Sequence, residues 1–204
     1  MTDNRLPFFI SIEGNIGAGK TTLAKILANQ LNASLLLEKF DENPHLAKFY
    51  ENPKQYALQV ELWFLKERFE QMNSQFSILN SQFLISDYHI SKCLIFAKAN
   101  LKKQEFLIYE KSYTIIEPLL PPPDLLIYLH QDINQLKKNI AKRGRTYEKK
   151  ISATYLNKIQ KGYESYLKSR KSKKVHIIDC NKFDFLHKKN IESIISVVKS
   201  TMGY

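Results

Sequence analysis

One run near the start of the chain carries the clearest chemistry. Gly14-Asn15-Ile16-Gly17-Ala18-Gly19-Lys20-Thr21 fits the spacing G-x-x-x-x-G-K-[ST] at every fixed position. Glycines so placed let a loop wrap tightly with its amides turned inward, where they cradle a chain of phosphates. The helix that follows offers free N–H groups and the positive end of its dipole to the same anion. Lys20 is placed to reach the β- and γ-phosphates, and the Thr21 hydroxyl to rest on Mg²⁺. Asn15, Ile16, Gly17, Ala18, Gly19, Lys20, Thr21 and Thr22 are therefore the expected triphosphate contacts. On its own this motif implies nucleotide binding and leaves the reaction open.

Further charged groups invite the same anion. Residues 137–174 hold fourteen Lys and Arg against only Glu148 and Glu164, a net +12 within a chain of +11. Such a segment either attracts a polyanion or forms a solvated helix face. Arg143 and Arg145 flank Gly144 at an apparent helix end, where guanidinium groups are placed for short-range phosphate contact. Glu38 follows a short apolar run, at the sheet edge where α/β proteins place their ligands.

These residues need a frame, and the pattern of apolar runs supplies one. Short runs at 8–13, 35–37, 83–86, 125–129 and 175–178 read as strands. Helical spacing covers 20–31, 53–78, 91–98, 104–119, 133–142, 151–169 and 189–199. In the long segment, Leu58, Leu62, Leu65 and Phe69 form the expected apolar stripe. A short helix is expected from Pro44, with Asn43 as its cap. Strands alternating with helices predict an α/β fold with a five-stranded parallel sheet flanked by helices, in one domain over 1–204.

Composition closes several other doors. The chain has 204 residues, 44% hydrophobic and 25% charged, which is ordinary for a globular protein. No apolar run approaches the roughly 20 residues that span a bilayer. No signal peptide is visible at the start. Cys93 and Cys180 form no framework of disulfides and suit a reducing cytoplasm, the expected location.

Taken together, Ile12-Glu13 before the glycine loop, Glu38, Asn43-Pro44, Phe49-Tyr50-Glu51-Asn52-Pro53 and Lys142-Arg143-Gly144-Arg145-Thr146-Tyr147-Glu148 resemble the deoxynucleoside kinase family. The likeness runs from about Phe8 to Phe185. It implies a P-loop kinase fold with a basic lid at about 142–150, usually dimeric. The implied reaction moves the ATP γ-phosphate to the 5′-hydroxyl of a deoxynucleoside, with Mg²⁺. On this resemblance Glu38 is the general base, Arg143 and Arg145 are lid residues on the transferring phosphoryl group, and Tyr50 and Glu148 hold the sugar 3′-hydroxyl. Phe96 stacks on the nucleobase, and Asp184 and Phe185 lie near the donor adenine. Residue by residue the bland alternatives stand beside these roles: Tyr50 and Phe96 as packing aromatics, Glu148 as a partner of Arg143 or Arg145.

The sequence also departs from the family. Asp/Glu-Arg-Ser is expected after the third strand, and Ser86-Asp87-Tyr88-His89 stands there, without the arginine. Asp87 becomes the candidate Mg²⁺-side carboxylate, held through water. A further lid arginine of the family is Asn139. Counted from Tyr50, the family's base-reading Gln falls at Glu61, its Arg at Arg68, and a position often Asp at Lys92. Ionised Glu only accepts hydrogen bonds, so Glu61 suits the adjacent N–H donors of guanine and implies a purine preference, unless it pairs with Lys92 or Arg68. His89 is read as a surface side chain or a weak phosphate contact. The alternatives are a thymidylate-type monophosphate kinase and a basic P-loop protein that binds nucleic acid. The expected partners are a deoxynucleoside and a second copy of the chain, with no membrane.

Overall fold

A computed structural model describes residues 6–78, 81–169 and 174–203. Arg170, Lys171 and Lys173 of the basic segment lie outside those residues, as does the start of the chain at 1–5. Five strands form one parallel sheet: β1 (Phe8–Gly14), β2 (Ser34–Leu36), β3 (Phe83–Ser86), β4 (Leu125–His130) and β5 (Val175–Asp179), in the spatial order β2-β3-β1-β4-β5. The five-stranded parallel sheet expected from the apolar runs is present. Between its strands run α1 (Lys20–Leu31), α2 (Leu46–Glu51), α3 (Pro53–Ile78), α4 (Ser91–Asn100), α5 (Lys103–Ile116), α6 (Ile133–Arg143) and α7 (Ala153–Ser169), and α8 (Lys188–Met202) follows β5.

Helices cover both faces of the sheet, so its central strands are apolar almost throughout. Strand side chains alternate between faces. In β4, Leu125, Ile127 and Leu129 enter the core shared with Leu23 and Leu27 of α1, Leu136 of α6 and Ile194 of α8. Leu126 and Tyr128 turn the other way, toward Ile159 and Tyr163 of α7. Phe9 of β1 packs with Leu84, Tyr88, Met72 and Tyr109 beneath α3 and α5. Because all strands run in parallel, their C-terminal ends share one edge. That edge receives the glycine loop after β1, Glu38 after β2 and Asp87 after β3.

Three local expectations are corrected. The short helix begins at Leu46, not at Pro44. Asn43 caps a turn instead, its Oδ1 accepting from the His45 N–H at 2.9 Å. Pro44 and His45 form the middle of that turn, which the Leu46 N–H closes on Asn43 O at 3.2 Å before the helix starts. The segment expected to be helical to 119 ends at Ile116 and tightens into a single turn, Glu117–Leu119, around Pro118. On α3 the buried stripe is Ala57, Val60, Glu61, Phe64, Leu65, Arg68 and Met72, while Leu62 is 44% exposed. Two of the positions on that face carry charges, and for that reason the apolar pattern pointed elsewhere.

Candidate active site

The phosphate loop is held in shape by its own hydrogen bonds and those of its neighbours. Asn15, almost fully buried, donates from Nδ2 to Leu156 O at 2.9 Å and accepts from the Ile16 N–H at 2.9 Å. Asn139 of α6 donates to Gly17 O at 2.9 Å. The residue standing where the family has a lid arginine therefore braces the loop. Lys20 Nζ lies 2.9 Å from both Gly14 O and Asn15 O. Burial, then the charge of nearby Lys92, lowers its ammonium to about 8. Anionic phosphates at this position would restore its charge.

Gly19 has φ of +93°, and a Cβ there would lie 2.7 Å from Phe185 Cζ. Phe185 thus stands across the loop, on the wall of a cavity of about 810 Å³ that also includes Gln131, Asn139, Asn181 and Asp184. This places Asp184 and Phe185 beside the loop, as the donor-adenine reading requires. Asp184 is itself exposed and accepts from the Leu186 N–H at 2.9 Å. We expect Gly19→Ala to weaken ATP binding and lower the melting temperature, because left-handed backbone costs an L-residue about 1–2 kcal/mol before the clash with Phe185 is counted. Equilibrium ATP binding and a thermal melt check this.

On the other side of the loop is a second cavity, lined by Ile16, Lys20, Thr21, Glu38, Tyr50, Glu61, Arg68, Asp87, Lys92, Phe96, Arg143, Arg145 and Glu148. The candidate catalytic, substrate and metal residues named from sequence converge here, from α1, α2, α3, α4, the loop after β2 and the turn Thr146–Lys150. Asp87 joins three elements. It accepts from Thr21 Oγ1 at 2.5 Å and from the Glu38 N–H at 2.8 Å. Two hard oxygen donors side by side at the foot of a phosphate loop fit Mg²⁺, which prefers few protein ligands and completes its shell with water and phosphate.

Glu38 is flanked by cations. Lys92 Nζ donates to Oε2 at 2.5 Å, and Arg68 donates through Nε to Oε1 at 2.9 Å and through Nη2. Burial opposes ionisation of this carboxyl, but the charges of Lys92 and Arg68 prevail and hold it well below the usual carboxylate range. Lys92 pairs with Glu38, not with Glu61 as the sequence alternative had it. The sequence reading gave Lys92 no catalytic place. Its signal was there as a lysine where the family often has an acid.

Behind Lys92, Glu13 of β1 is fully buried and accepts from the His89 N–H and the Tyr163 hydroxyl, both at 2.7 Å. His89 is 2% exposed and meets Ser91 Oγ through Nδ1, so the surface expectation for it is wrong. A polar backbone turn after β3 draws it inward. Tyr88, of the same segment, is buried in the core with its hydroxyl donating to Gln71 Oε1 at 2.8 Å.

The segment expected to form a lid is internally paired. Glu148, 5% exposed, accepts from Arg143 Nε at 3.0 Å and Nη2 at 2.5 Å, and from Arg145 Nη1 at 3.2 Å. Glu148 is therefore the arginines' partner, as the alternative reading of the sequence had it. Arg145 also lies over the Phe40 ring, 3.7 Å from its centroid. Tyr50 stacks on Tyr147 at 5.8 Å, and burial pushes its phenol well above the ordinary range. Phe96 is half-buried with Lys92 5.5 Å from its ring centroid, so a face of it remains in the cavity. The described lysines of α6 and α7, from Lys137 to Lys168, are exposed, as on a solvated face.

Comparison with known proteins agrees with this geometry. The deoxynucleoside kinase family model matches residues 10–202. The chain is 37% identical to a deoxyguanosine kinase of Bacillus subtilis over 198 residues, 94% of this chain and 96% of that kinase. It is 28% identical to a deoxyadenosine/deoxycytidine kinase of the same organism, over 99% of this chain and 97% of that one. Among solved structures, deoxyadenosine kinase from M. mycoides with bound dATP superposes with a TM-score of 0.81 at 25% identity, covering 94% of this chain and 99% of that one. A phosphate loop and an ionised carboxylate sharing one cavity at one sheet edge fit a P-loop kinase. This chain belongs to the deoxynucleoside kinase family, which are ATP-dependent phosphotransferases. The family excludes neither residue-level surprise above, but it sets aside the monophosphate-kinase and nucleic-acid alternatives.

Proposed function

We propose that this chain transfers the γ-phosphate of ATP to the 5′-hydroxyl of a purine deoxynucleoside, guanine foremost. The single observation that carries the reading is the position of Glu38: a largely buried carboxylate, kept ionised, in the same cavity as Lys20 and Thr21. An ionised carboxylate in hydrogen-bond reach of an alcohol can take its proton as the oxygen attacks phosphorus. Lys20 and the loop amides hold the β- and γ-phosphates, and Arg143 and Arg145 lie where guanidinium groups can neutralise the equatorial oxygens. Thr21 would hold Mg²⁺ directly and Asp87 through water. A Mg²⁺ held there would supply neutralising charge for the phosphates. Tyr50 and Glu148 take the sugar 3′-hydroxyl, and Phe96 stacks on the base.

The guanine preference rests on Glu61, which replaces an amide that could donate with a group that, ionised, can only accept. It is also in keeping with the deoxyguanosine kinase relative. We extend the reading to a homodimer in the cytoplasm. Its support is the family resemblance and two free thiols, Cys93 and Cys180, while no helix among the described residues is long and apolar enough to cross a membrane. The test is ADP release with Mg·ATP against a panel of the four deoxynucleosides, their ribose forms and their monophosphates. Turnover with deoxyguanosine first and none with monophosphates is expected. Turnover confined to monophosphates overturns the assignment.

A further inference from the structure

Glu61 differs from the other carboxylates of the cavity. Glu38 and Glu148 each carry two cations, whereas Glu61 Oε1 meets only the Asn100 amide, at 2.7 Å. Its Oε2 is buried with no hydrogen-bond partner among the described residues, and the residue is 2% exposed. A buried polar atom left unpaired costs about 1–3 kcal/mol, so on a residue that lines a cavity it points to a ligand atom that satisfies it. Phe64, Phe96 and Tyr155 line the same space, giving flat apolar walls around that atom.

We propose that Glu61 reads the nucleobase in two protonation states: ionised, it accepts from the N1–H and N2–H₂ of guanine; protonated, it donates through Oε2–H to N1 of adenine and accepts from N6–H₂. This rests on the purine deoxynucleoside kinase reading above. One side chain then does the work of a carboxylate and of an amide, and the acceptor chosen follows pH. Binding guanine releases a proton from the protonated form, and binding adenine takes one up.

The surroundings set the range. Burial lifts the carboxyl to about 7, the Asn100 hydrogen bond and the charges of Arg68 and Lys92 pull it down, and Glu38 adds to the lift. The groups that face Glu61 come from every neighbouring element: Arg68 on α3, Lys92, Cys93 and Asn100 on α4, Tyr109 on α5, Tyr155 on α7, and Glu38 after β2. Glu38 is held ionised by its cations. Burial raises Cys93, Tyr109 and Tyr155 away from neutrality, and Arg68 keeps its charge despite burial because Cys93 and Glu38 favour it. Lys20 is lowered to about 8 by burial first and Lys92 next. It serves the phosphates of ATP, the donor common to both reactions, so its titration cancels in a ratio of the two.

The experiment is kcat/KM for deoxyguanosine and for deoxyadenosine at saturating Mg·ATP, from about pH 5.5 to about pH 8.5, because that constant reports the free enzyme's groups. The ratio of guanine to adenine should rise by about tenfold per pH unit while each base keeps to its own form, since the ionised-to-protonated ratio changes by that factor. Glu61→Gln should flatten the ratio and turn it toward adenine. Calorimetry without ATP, in two buffers of different ionisation enthalpy, should show proton release with deoxyguanosine and uptake with deoxyadenosine. A flat ratio in the unaltered enzyme, or a slope that survives Glu61→Gln, overturns the proposal while leaving the kinase reading intact. If no nucleoside is phosphorylated at any pH, the kinase reading fails and takes this proposal with it.

Discussion

Glu38→Gln is expected to lower kcat by about 10²- to 10⁴-fold, the usual contribution of a general base, and to leave the ATP dissociation constant close to that of the unaltered protein. The amide keeps the shape and cannot take the proton. It also removes the counter-charge of two nearly buried cations, Arg68 and Lys92, whose side chains are 3% and 7% exposed. Breaking a buried pair costs about 3–5 kcal/mol, so the melting temperature should fall as well. ATP binding at a temperature well below the new melt separates chemistry from folding. Activity within tenfold of the original would show that another group takes the proton. Linkage fixes the sign with pH. A carboxyl depressed in the folded state contributes stability that is present above its unfolded value and lost as pH falls through the folded one. Glu38 therefore stabilises the fold at neutral pH, and the Gln variant should be less sensitive to acid than the original.

Lys92→Met is expected to be the second severe lesion. Lys92 is one of two cations holding Glu38, and its charge lowers the carboxyl more than that of Arg68 does. Its loss should raise the Glu38 carboxyl, moving the acid limb of the kcat/KM profile to higher pH. An ammonium removed from beside the reacting oxygen should also cost about 10²-fold in kcat, as loss of one preorganised electrostatic group does elsewhere. Lys92→Arg, which keeps the charge, should recover most of both. A profile unmoved by Lys92→Met would mean that Arg68 alone sets the state of Glu38. In the same variant the Lys20 ammonium should rise, because the charge of Lys92 is second only to burial in depressing it.

The parts of this molecule that were legible in sequence are those where backbone geometry restricts the choice of residue. Gly14, Gly17 and Gly19 are needed for conformations other residues resist, so the phosphate loop announces itself. The sheet was equally plain, since its buried strands must be apolar on both faces. The stripe of α3 was not. Glu61 and Arg68 occupy core-facing positions because the core there is a binding cavity, and a pattern search that counts only apolar residues slides to Leu62. The pairing of Glu38 with Lys92 spans 54 positions of sequence and exists only because β2 and α4 meet at one edge. Nothing in the local residues announces it. His89 was misplaced for a related reason, as its burial depends on Glu13, which reaches it from β1.

The ion pairs of Glu148 bear on the order of events. Arg143 and Arg145 both pair with Glu148 in the structure. An incoming triphosphate can recruit them only by setting that carboxylate loose, and a carboxylate set loose in so dry a place is a ready grip for a sugar hydroxyl. Each guest thereby prepares the seat of the other. The two should bind synergistically, and Glu148→Gln should erase the synergy more than it erases either affinity.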